Sequence, residues 1–268
     1  MISNGLQDLI SQQRSGRSLA REFYLDPAIW ALDVEHVLSS KWHQVGHVAR
    51  VPEPGDYFVV ELLGESIIIV RGADSEVRAL YNVCRHRGAQ LCPASNGNKE
   101  QFTCPYHGWT YRLDGALAAA PLMAADFDPL DHALNTCQVR LLEGIIFINF
   151  AETPPDFDQL FATFAPLLRF YGLAHAKIAM RRRFSVAANW KLVVENGLEC
   201  YHCFGVHPMF AKVRSRAQNR SIGTDETTCP PEVQAQYAAE YREWRESLTL
   251  LPEYAGTIVD DDENSDHL

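Results

Sequence analysis

Two cysteines and two histidines limit what this chain can fold into more than any other feature of its sequence. Cys84 and His86 form a C-x-H pair, and Cys104 and His107 form a C-x-x-H pair after seventeen intervening residues. Thiolates and imidazoles in short pairs of this kind are typical metal ligands. Zinc fingers group a cysteine pair and then a histidine pair, whereas each pair here mixes the two residue types. The spacing therefore predicts a metal site built from two similar half-sites.

The mixed pairing is the arrangement that a Rieske [2Fe–2S] cluster needs, because one iron takes both thiolates and the other takes both imidazoles. Two thiolates neutralise the charge of the diferric core, whereas four would leave it anionic and harder to reduce. The potential is accordingly roughly −150 to +300 mV, against about −400 mV for plant-type clusters. Gly88 and Gly108 follow the two pairs and predict tight turns in two hairpin loops. A structural zinc site is the alternative interpretation.

Composition restricts the class of protein. The chain has 268 residues and seven cysteines, which are too few for a disulfide framework in a chain of this length. The net charge of −10 disfavours nucleic-acid binding and an anionic membrane surface. No run reaches the roughly 18 apolar residues of a membrane span, and Met1–Arg17 lacks the apolar region of a secretory signal. We therefore expect a cytoplasmic protein that binds neither nucleic acid nor membrane.

The pattern of elements predicts an α+β fold in three parts. We expect a helical N-terminal segment in residues 1–45, a small antiparallel β domain with the cluster loops in residues 46–152, and an incomplete helix-plus-antiparallel-sheet domain in residues 153–268. Pro154 and Pro155 mark the second boundary. The strands predicted in the β domain are Tyr57–Leu63, Ser66–Arg71, Val77–Asn82, Cys137–Leu142 and Ile145–Phe150.

The third part is predicted to contain more helix than strand. Apolar stripes favour helices over Phe157–Tyr171, Asn189–Tyr201 and Glu232–Trp244. The alternation in Lys177–Val186 favours a strand.

The sequence around the four predicted ligands resembles a known family. The blocks C-R-H-R-G and C-P-Y-H-G-W, which begin at Cys84 and Cys104, are similar to the Rieske domains of the ring-hydroxylating oxygenases, also called Rieske non-haem iron oxygenases. Respiratory Rieske proteins carry an additional cysteine beside each ligand pair, but Pro105 and Tyr106 stand in the second half-site here. Cys92 is then a lone thiol that we expect to be buried. Trp109 is expected to shield the site from water.

A second block, in residues 189–207, contains two further candidate ligands. An ideal helix would place His202 and His207 roughly 140° apart, so both can face one ion only if the helix ends between them, which Gly205 and Pro208 permit. Alone this pair is a weak signal. The block resembles the mononuclear iron motif of the same family, which implies that His202 and His207 hold an Fe(II) ion together with a later carboxylate.

The resemblance also implies roles for two neighbours. Glu199 would accept hydrogen bonds from His202 and from His107 of an adjacent subunit, and would thereby connect the cluster to the iron. The family usually has Asp at this position, so Glu lengthens the connection by one methylene group. Asn196 would line the iron pocket. For both residues a purely structural or solvated role is the alternative.

The third iron ligand is not identified. In the family it lies well over a hundred residues after the second histidine, whereas sixty-one residues follow His207. We therefore expect a C-terminally truncated oxygenase large subunit; a short variant that uses a nearby carboxylate is the alternative. The available carboxylates are Asp225, Glu226, Glu232 and those of residues 260–263.

The resemblance implies the terminal oxygenase component of a multicomponent system. Electrons from NAD(P)H would come through a flavin and iron–sulfur reductase or a ferredoxin, pass from the cluster to the mononuclear iron of the next subunit, and activate O2 there. Such transfer requires a homo-oligomer, by analogy a trimer. The segment from Ser18 to Tyr24 and the block from Glu195 to His207 are most similar to the branch that N-demethylates quaternary ammonium compounds such as glycine betaine or stachydrine.

Three other interpretations stay open at this point. The first is the large subunit of an aromatic-ring-hydroxylating dioxygenase. The second is an electron-transfer module in which only the Rieske domain functions. The third is a zinc-stabilised binding protein.

Overall fold

A computed structural model of the chain describes residues 4–124, 126–198 and 206. The chain divides into two compact units. One comprises Asp26–Ile178, and the described part of the other consists of residues 4–25, 179–198 and 206.

Ten strands form two antiparallel sheets in the unit Asp26–Ile178. They are β1 His43–His47, β2 Asp56–Leu62, β3 Glu65–Arg71, β4 Val77–Tyr81, β5 Asn96–Asn98, β6 Phe102–Thr103, β7 Thr110–Tyr111, β8 Leu117–Ala119, β9 Thr136–Leu142 and β10 Ile145–Asn149. The larger sheet has the order β1-β10-β9-β4-β3-β2-β5, and the smaller has the order β6-β7-β8.

The five strands expected from the sequence are confirmed, each within one residue of its predicted bounds, as β2, β3, β4, β9 and β10. The helical prediction for residues 1–45 is wrong at its end, because β1 begins at His43. Among the described strands, β1 pairs with β10 alone, about a hundred residues later, and its register shifts between Gln44 and Gly46. Strand formation at β1 therefore depends on a distant partner, which local periodicity does not reveal.

The larger sheet is covered on both faces. Ile67 and Ile69 of β3 pack on one side with Phe58, Ile146 and Ile148. Ile68 and Val70, which alternate with them, pack on the other side with the residues of the cluster loops. All four β3 residues are fully buried. The unbroken apolar run in β3 reflects this burial on two faces.

The described residues include six α-helices, which precede and follow the strands in chain order. Their bounds are α1 Asn4–Ser11, α2 Glu22–Leu25, α3 Pro27–Leu32, α4 Phe157–Phe161, α5 Ala165–Phe170 and α6 Trp190–Leu198. Asp26 caps α3, because its side chain accepts a hydrogen bond of 2.8 Å from the N–H of Ala28. None of the helices in the described ranges is both long and apolar enough to cross a membrane.

Two predictions for the later chain are corrected. The single helix expected over Phe157–Tyr171 is two short helices, α4 and α5. A continuous helix would need an N–H at Pro166, which proline lacks, so Pro166 instead stands in the first turn of α5. The strand expected over Lys177–Val186 is wrong, since Met180 alone is in a bridge there and the described residues form no ladder with this segment. Alternation favours a strand, but only a neighbouring strand stabilises one.

The helix predicted over Asn189–Tyr201 is confirmed in its described part as α6. The helix predicted over Glu232–Trp244 lies outside the described residues.

Candidate metal centres

Two loops of the β unit share one backbone conformation. In the loop after β4, the N–H of Cys84 donates to the carbonyl of Ala89 at 2.8 Å, and the N–H of Gly88 donates to the carbonyl of Cys84 at 2.9 Å. Between β6 and β7 the same pattern recurs twenty residues later. There Cys104 donates to Trp109 at 2.7 Å and Gly108 donates to Cys104 at 3.1 Å. The two half-sites are thus structural repeats from cysteine to glycine, although their histidines occupy different positions.

The backbone conformation of these loops favours glycine, although a Cβ would have enough space. Gly88 and Gly108 both have φ of +72°, which residues with a Cβ rarely adopt. A Cβ on Gly88 would meet nothing within 4 Å, and one on Gly108 would meet only Pro121, at 3.7 Å. The tight turns predicted after the two ligand pairs are therefore confirmed.

The two loops bring the four predicted cluster ligands together. Cys84 and Cys104 are both buried in the apolar cluster on one face of the sheet. The rings of His86 and His107 lie 4.5 Å apart between centroids and are inclined at 72°. Two thiols and two imidazoles thus line one small region, as the spacing of the pairs predicts.

His86 supplies a test of whether this region fits a metal. Among the described side chains, His86 Nδ1 is the buried nitrogen or oxygen that lacks a hydrogen-bond partner. Leaving such an atom unpaired costs about 1–3 kcal/mol. Desolvation, and then the proximity of His107 and Arg87, hold the pKa of His86 below its usual value. A metal ligand needs a neutral imidazole with a nitrogen free to bind the ion, and the buried Nδ1 without a partner fits that position.

The described residues contain no group of three or more His, Cys, Asp or Glu side chains placed to hold a single ion. Each iron of a Rieske cluster takes only two protein ligands. The four candidate ligands therefore do not need to meet at one point.

Two aromatic residues that contact the ligands complete the site. Trp109 is buried and stacks on His86, with centroids 4.9 Å apart and planes inclined by 10°. This position is compatible with the predicted shielding role, which stays a prediction. Tyr106 lies against His107 at 3.8 Å between centroids and remains exposed. One imidazole is therefore covered by a buried ring and the other lies beside a ring at the surface.

Tyr111, in β7, is a site residue that the sequence interpretation missed. Its hydroxyl lies 3.3 Å from Cys84 Sγ and accepts a hydrogen bond of 3.0 Å from the N–H of Arg85. Since the oxygen accepts from the backbone, its proton is free to be donated to the sulfur. Burial and the contact with Cys84 raise the pKa of Tyr111 well above its usual value, so the hydroxyl keeps this proton. In the sequence, the available signal for this role was a tyrosine seven residues after Cys104.

The remaining cysteines of the described ranges are free thiols. Cys92 is buried and forms no disulfide, as predicted, and the same holds for Cys137. Burial is the main reason that the pKa of both thiols is raised, for Cys137 to about 11.

The second candidate site lies only partly within the described residues. Asn196 is in α6 and is exposed. Glu199, His202 and His207, like the carboxylates considered as a third ligand, lie outside the described residues. Their proposed roles, and that of Asn196, stay predictions.

Two family models match the chain in succession. The model for the Rieske [2Fe-2S] domain matches residues 41–139, and the model for the catalytic domain of the ring hydroxylating alpha subunit matches residues 173–267. The first range contains the two cluster loops, and the second contains the His202 and His207 block.

Curated proteins are similar to about three quarters of the chain. The glycine betaine monooxygenase oxygenase subunit of Pseudomonas aeruginosa is 38% identical over 206 residues, which cover 76% of this chain and 48% of the relative. The carnitine monooxygenase oxygenase subunit of Escherichia coli K12 is 38% identical over 198 residues, which cover 72% and 53%. The chain thus spans about half the length of the curated relatives it matches.

A solved structure extends the similarity to three dimensions. The quaternary ammonium Rieske monooxygenase CntA, in complex with its substrate L-carnitine, superposes with a TM-score of 0.67 at 36% identity. The match covers 71% of this chain and 55% of that one.

Proposed function

This chain belongs to the Rieske non-haem iron oxygenases, in the ring-hydroxylating alpha-subunit family, and from that premise we propose that it is the terminal oxygenase component of a multicomponent system that oxidises a quaternary ammonium compound. We choose this substrate class because the chain is 38% identical to glycine betaine and carnitine monooxygenase oxygenase subunits. In this proposal the cluster domain begins with β1 at His43 and ends at residue 152, residues 153–268 begin the catalytic domain, and the N-terminal segment packs on the latter.

The cluster would be held by Cys84, His86, Cys104 and His107. Support comes from the repeated loop conformation, the adjacent imidazoles and the buried unpaired Nδ1 of His86. When bound, the cluster would supply one-electron transfer and a mononuclear iron would supply O2 activation. The chain's own part is to orient the ligands through the two glycine turns, to exclude water through Trp109, and to donate a hydrogen bond from Tyr111.

The iron would be held by His202 and His207, with Asn196 in its pocket and Glu199 as the hydrogen-bonding connection to His107 of the next subunit. This connection makes a homotrimer part of the proposal. The electron donor would be an NAD(P)H-dependent flavin and iron–sulfur reductase or a ferredoxin. We place the protein in the cytoplasm, because free thiols and thiolate ligands suit a reducing compartment.

Metal analysis with low-temperature electron paramagnetic resonance (EPR) tests the two sites. We expect the reduced, anaerobically purified protein to give a Rieske-type signal, with about two iron atoms per chain for the cluster and about one more for the mononuclear site. A colourless protein that contains zinc and no iron would contradict the proposal. A cluster signal without the additional iron would favour the electron-transfer module instead.

Product analysis tests the substrate class. With a reductase, one oxygen atom of O2 would enter a C–H bond beside the nitrogen, and the other would leave as water with two electrons and two protons. Hydroxylation of an N-methyl group yields formaldehyde and the demethylated amine, whereas hydroxylation of the chain carbon beside nitrogen releases trimethylamine. Either product from glycine betaine or L-carnitine would support the proposal. A cis-dihydrodiol from benzoate-like substrates, with neither of those products, would favour the aromatic dioxygenase.

A further inference from the structure

Asn82, directly after β4, places a buried amide beside the first ligand loop, with an exposed fraction of 0%. Its Oδ1 accepts hydrogen bonds from the N–H of Cys92, at 2.7 Å, and from the N–H of Leu91, at 3.2 Å. Its Nδ2 donates to the carbonyl of Cys92 at 2.8 Å and to the hydroxyl of Ser66, in β3, at 3.2 Å. All four hydrogen-bonding positions of the amide are therefore used.

These hydrogen bonds connect the two ends of the loop that carries Cys84 and His86. Asn82 stands two residues before Cys84, and its partners Leu91 and Cys92 follow His86 by five and six residues. A single side chain thus joins the chain that enters the loop to the chain that leaves it. Because hydrogen bonds of this kind hold metal ligands in their working geometry, the amide restrains the backbone from which both ligands extend.

The second ligand loop is closed by a strand ladder instead. Its flanking strands β6 and β7 form two residue pairs, one of them between Phe102 and Tyr111. Phe102 stands two residues before Cys104, as Asn82 stands before the first cysteine. Phenylalanine has no polar group in its side chain, so the backbone closes this loop without a side-chain hydrogen bond from that position.

The pairing around the first loop is weaker. Val83 and Gln90 form an isolated bridge that belongs to neither of the two sheets. Beside it, the N–H of Leu91 donates to the carbonyl of Asn82 at 3.4 Å, which is longer than the usual range of about 2.7–3.2 Å. The side chain of Asn82 adds a second acceptor for this N–H and two hydrogen bonds to Cys92. The amide thus takes the place of the ladder that closes the second loop.

We propose that Asn82 is a positioning residue for the first half-site: its buried amide closes the loop in place of a strand ladder, and so fixes Cys84 and His86 as cluster ligands. This inference rests on the proposed function, because it assumes that these residues hold a cluster. Asn82 contacts neither the cluster nor the substrate in this role. A loosened first loop would leave Cys104 and His107 in place, since another set of hydrogen bonds holds them.

Three variants of the whole protein test this role. Asn82→Leu keeps a branched side chain and removes its four hydrogen bonds, whereas Asn82→Asp keeps an oxygen that accepts from both N–H groups. Asn149→Leu is the matched control, because Asn149 is also a fully buried amide but lies in β10, which carries none of the proposed ligands. Its side chain donates to the carbonyl of Ser40 at 3.1 Å and accepts from the N–H of Ala151 at 2.8 Å.

The first measurement does not depend on which metal is bound. Amide hydrogen exchange is followed by mass spectrometry in peptides that cover residues 84–92 and 104–111 of the purified protein. Asn82→Leu should accelerate exchange in residues 84–92 at least several-fold and leave residues 104–111 close to the wild type. Asn82→Asp should cause a smaller acceleration in the same range, and it decides the question if Asn82→Leu does not fold.

The control should show no preference for the first loop, so Asn149→Leu should not accelerate exchange in residues 84–92 more than in residues 104–111. Equal acceleration of the two ranges in the Asn82 variants would overturn the proposal at its first step, and so would unchanged exchange in residues 84–92.

The second measurement is made on the reduced cluster. Pulsed EPR of protein that contains isotope-labelled histidine resolves the couplings of the two coordinated imidazole nitrogens. Both Asn82 variants should change the coupling of one nitrogen and leave the other at its wild-type value, since only His86 lies in the loop that the amide closes. Release of the cluster to a chelator should be about ten-fold faster in Asn82→Leu, as loss of an orienting contact predicts. Asn149→Leu should change neither property.

The other outcomes separate this inference from the proposed function. Faster exchange with unchanged nitrogen couplings and unchanged cluster release would overturn the positioning role, because the amide would then stabilise the loop alone. Changes in both couplings would overturn it too, since the defect would be a general one. A wild-type protein without a Rieske-type signal would contradict the proposed function, while the exchange measurement would still decide whether Asn82 closes the loop.

Discussion

At the scale of single residues, the proposed cluster ligands are contacted by groups that are not themselves proposed to bind iron. Tyr111 contacts Cys84 Sγ, and Trp109 stacks on His86. Gly88 and Gly108 give the two loops their common conformation. Each contact sets a different property, since the hydroxyl affects the charge on sulfur, the indole affects solvent access and the glycines affect backbone geometry.

Removing the Tyr111 hydroxyl should lower the reduction potential of the cluster. A hydrogen bond to sulfur favours the reduced, more negative state. Its loss in Tyr111→Phe, taken as about 1 kcal/mol, corresponds to a shift of roughly 40 mV for one electron. An EPR-monitored redox titration measures the shift. Tyr57→Phe, at a buried tyrosine in the same apolar cluster as the non-ligand Cys92, is the control, and an equal shift there would contradict the assignment.

Replacing the loop glycines should destabilise the protein through backbone strain alone. Gly88→Ala and Gly108→Ala should each lower the free energy of unfolding by about 1–2 kcal/mol, because both residues have positive φ and open space for a Cβ. Asn tolerates this conformation better, so Gly88→Asn should cost less. Urea denaturation measures the effects. Gly5→Ala, in α1, should be neutral or stabilising, and an equal loss there would exclude strain as the cause.

At the scale of elements, β3 connects the two apolar clusters of the sheet. Ile68 faces the cluster loops and Ile69 faces the opposite side. Residues that are neighbours in sequence therefore pack in different apolar clusters, and only one of these clusters contains Cys84 and Cys104. Other elements are determined by a single feature. Pro166 separates α4 from α5, and β1 depends on pairing with the distant strand β10.

Truncating β3 on its two faces should give equal losses of stability but unequal losses of the cluster. Ile68→Ala and Ile69→Ala should each cost about 2–5 kcal/mol, as deletion of a buried isoleucine does. Only Ile68→Ala should also speed cluster loss, because the cavity lies on the side of Cys84 and Cys104. Urea denaturation and the decay of cluster absorbance measure the two effects. Equal rates of cluster loss would contradict this division of the faces.

At the scale of the whole molecule, the larger sheet buries ionisable groups in neutral form. Burial is the main cause that raises the pKa of Cys137 to about 11 and that of Tyr81 to about 12. Their ordinary values are 9.0 and 10.0. Both groups therefore ionise more readily in the unfolded chain than in the folded protein.

The stability of the fold should consequently fall at alkaline pH. The contribution of Cys137 is fully present below pH 9 and is lost as the pH rises towards 11, with a slope of at most about 1.4 kcal/mol per pH unit. Urea denaturation at a series of pH values measures this slope. Cys137→Val, which has no ionisable group, should reduce it between pH 9 and 11. An unchanged slope in that variant would show that other groups cause the loss.

The sequence by itself predicted the ligands proposed for the cluster and determined the strands around them. Ligand type and spacing are local properties, and the alternation of β2, β3, β4, β9 and β10 is visible in the chain. The resemblance of residues 189–207 likewise predicted the family whose catalytic-domain model matches residues 173–267.

Only the tertiary structure decided which residues far apart in sequence come into contact. It placed the Tyr111 hydroxyl at Cys84, the Trp109 ring on His86 and the Tyr24 hydroxyl at Glu195. It also supplied a partner for β1 and left residues 177–186 without a strand ladder in the described structure. Spacing fixes what a residue can bind, whereas hydrogen bonding between distant segments depends on how the whole chain packs.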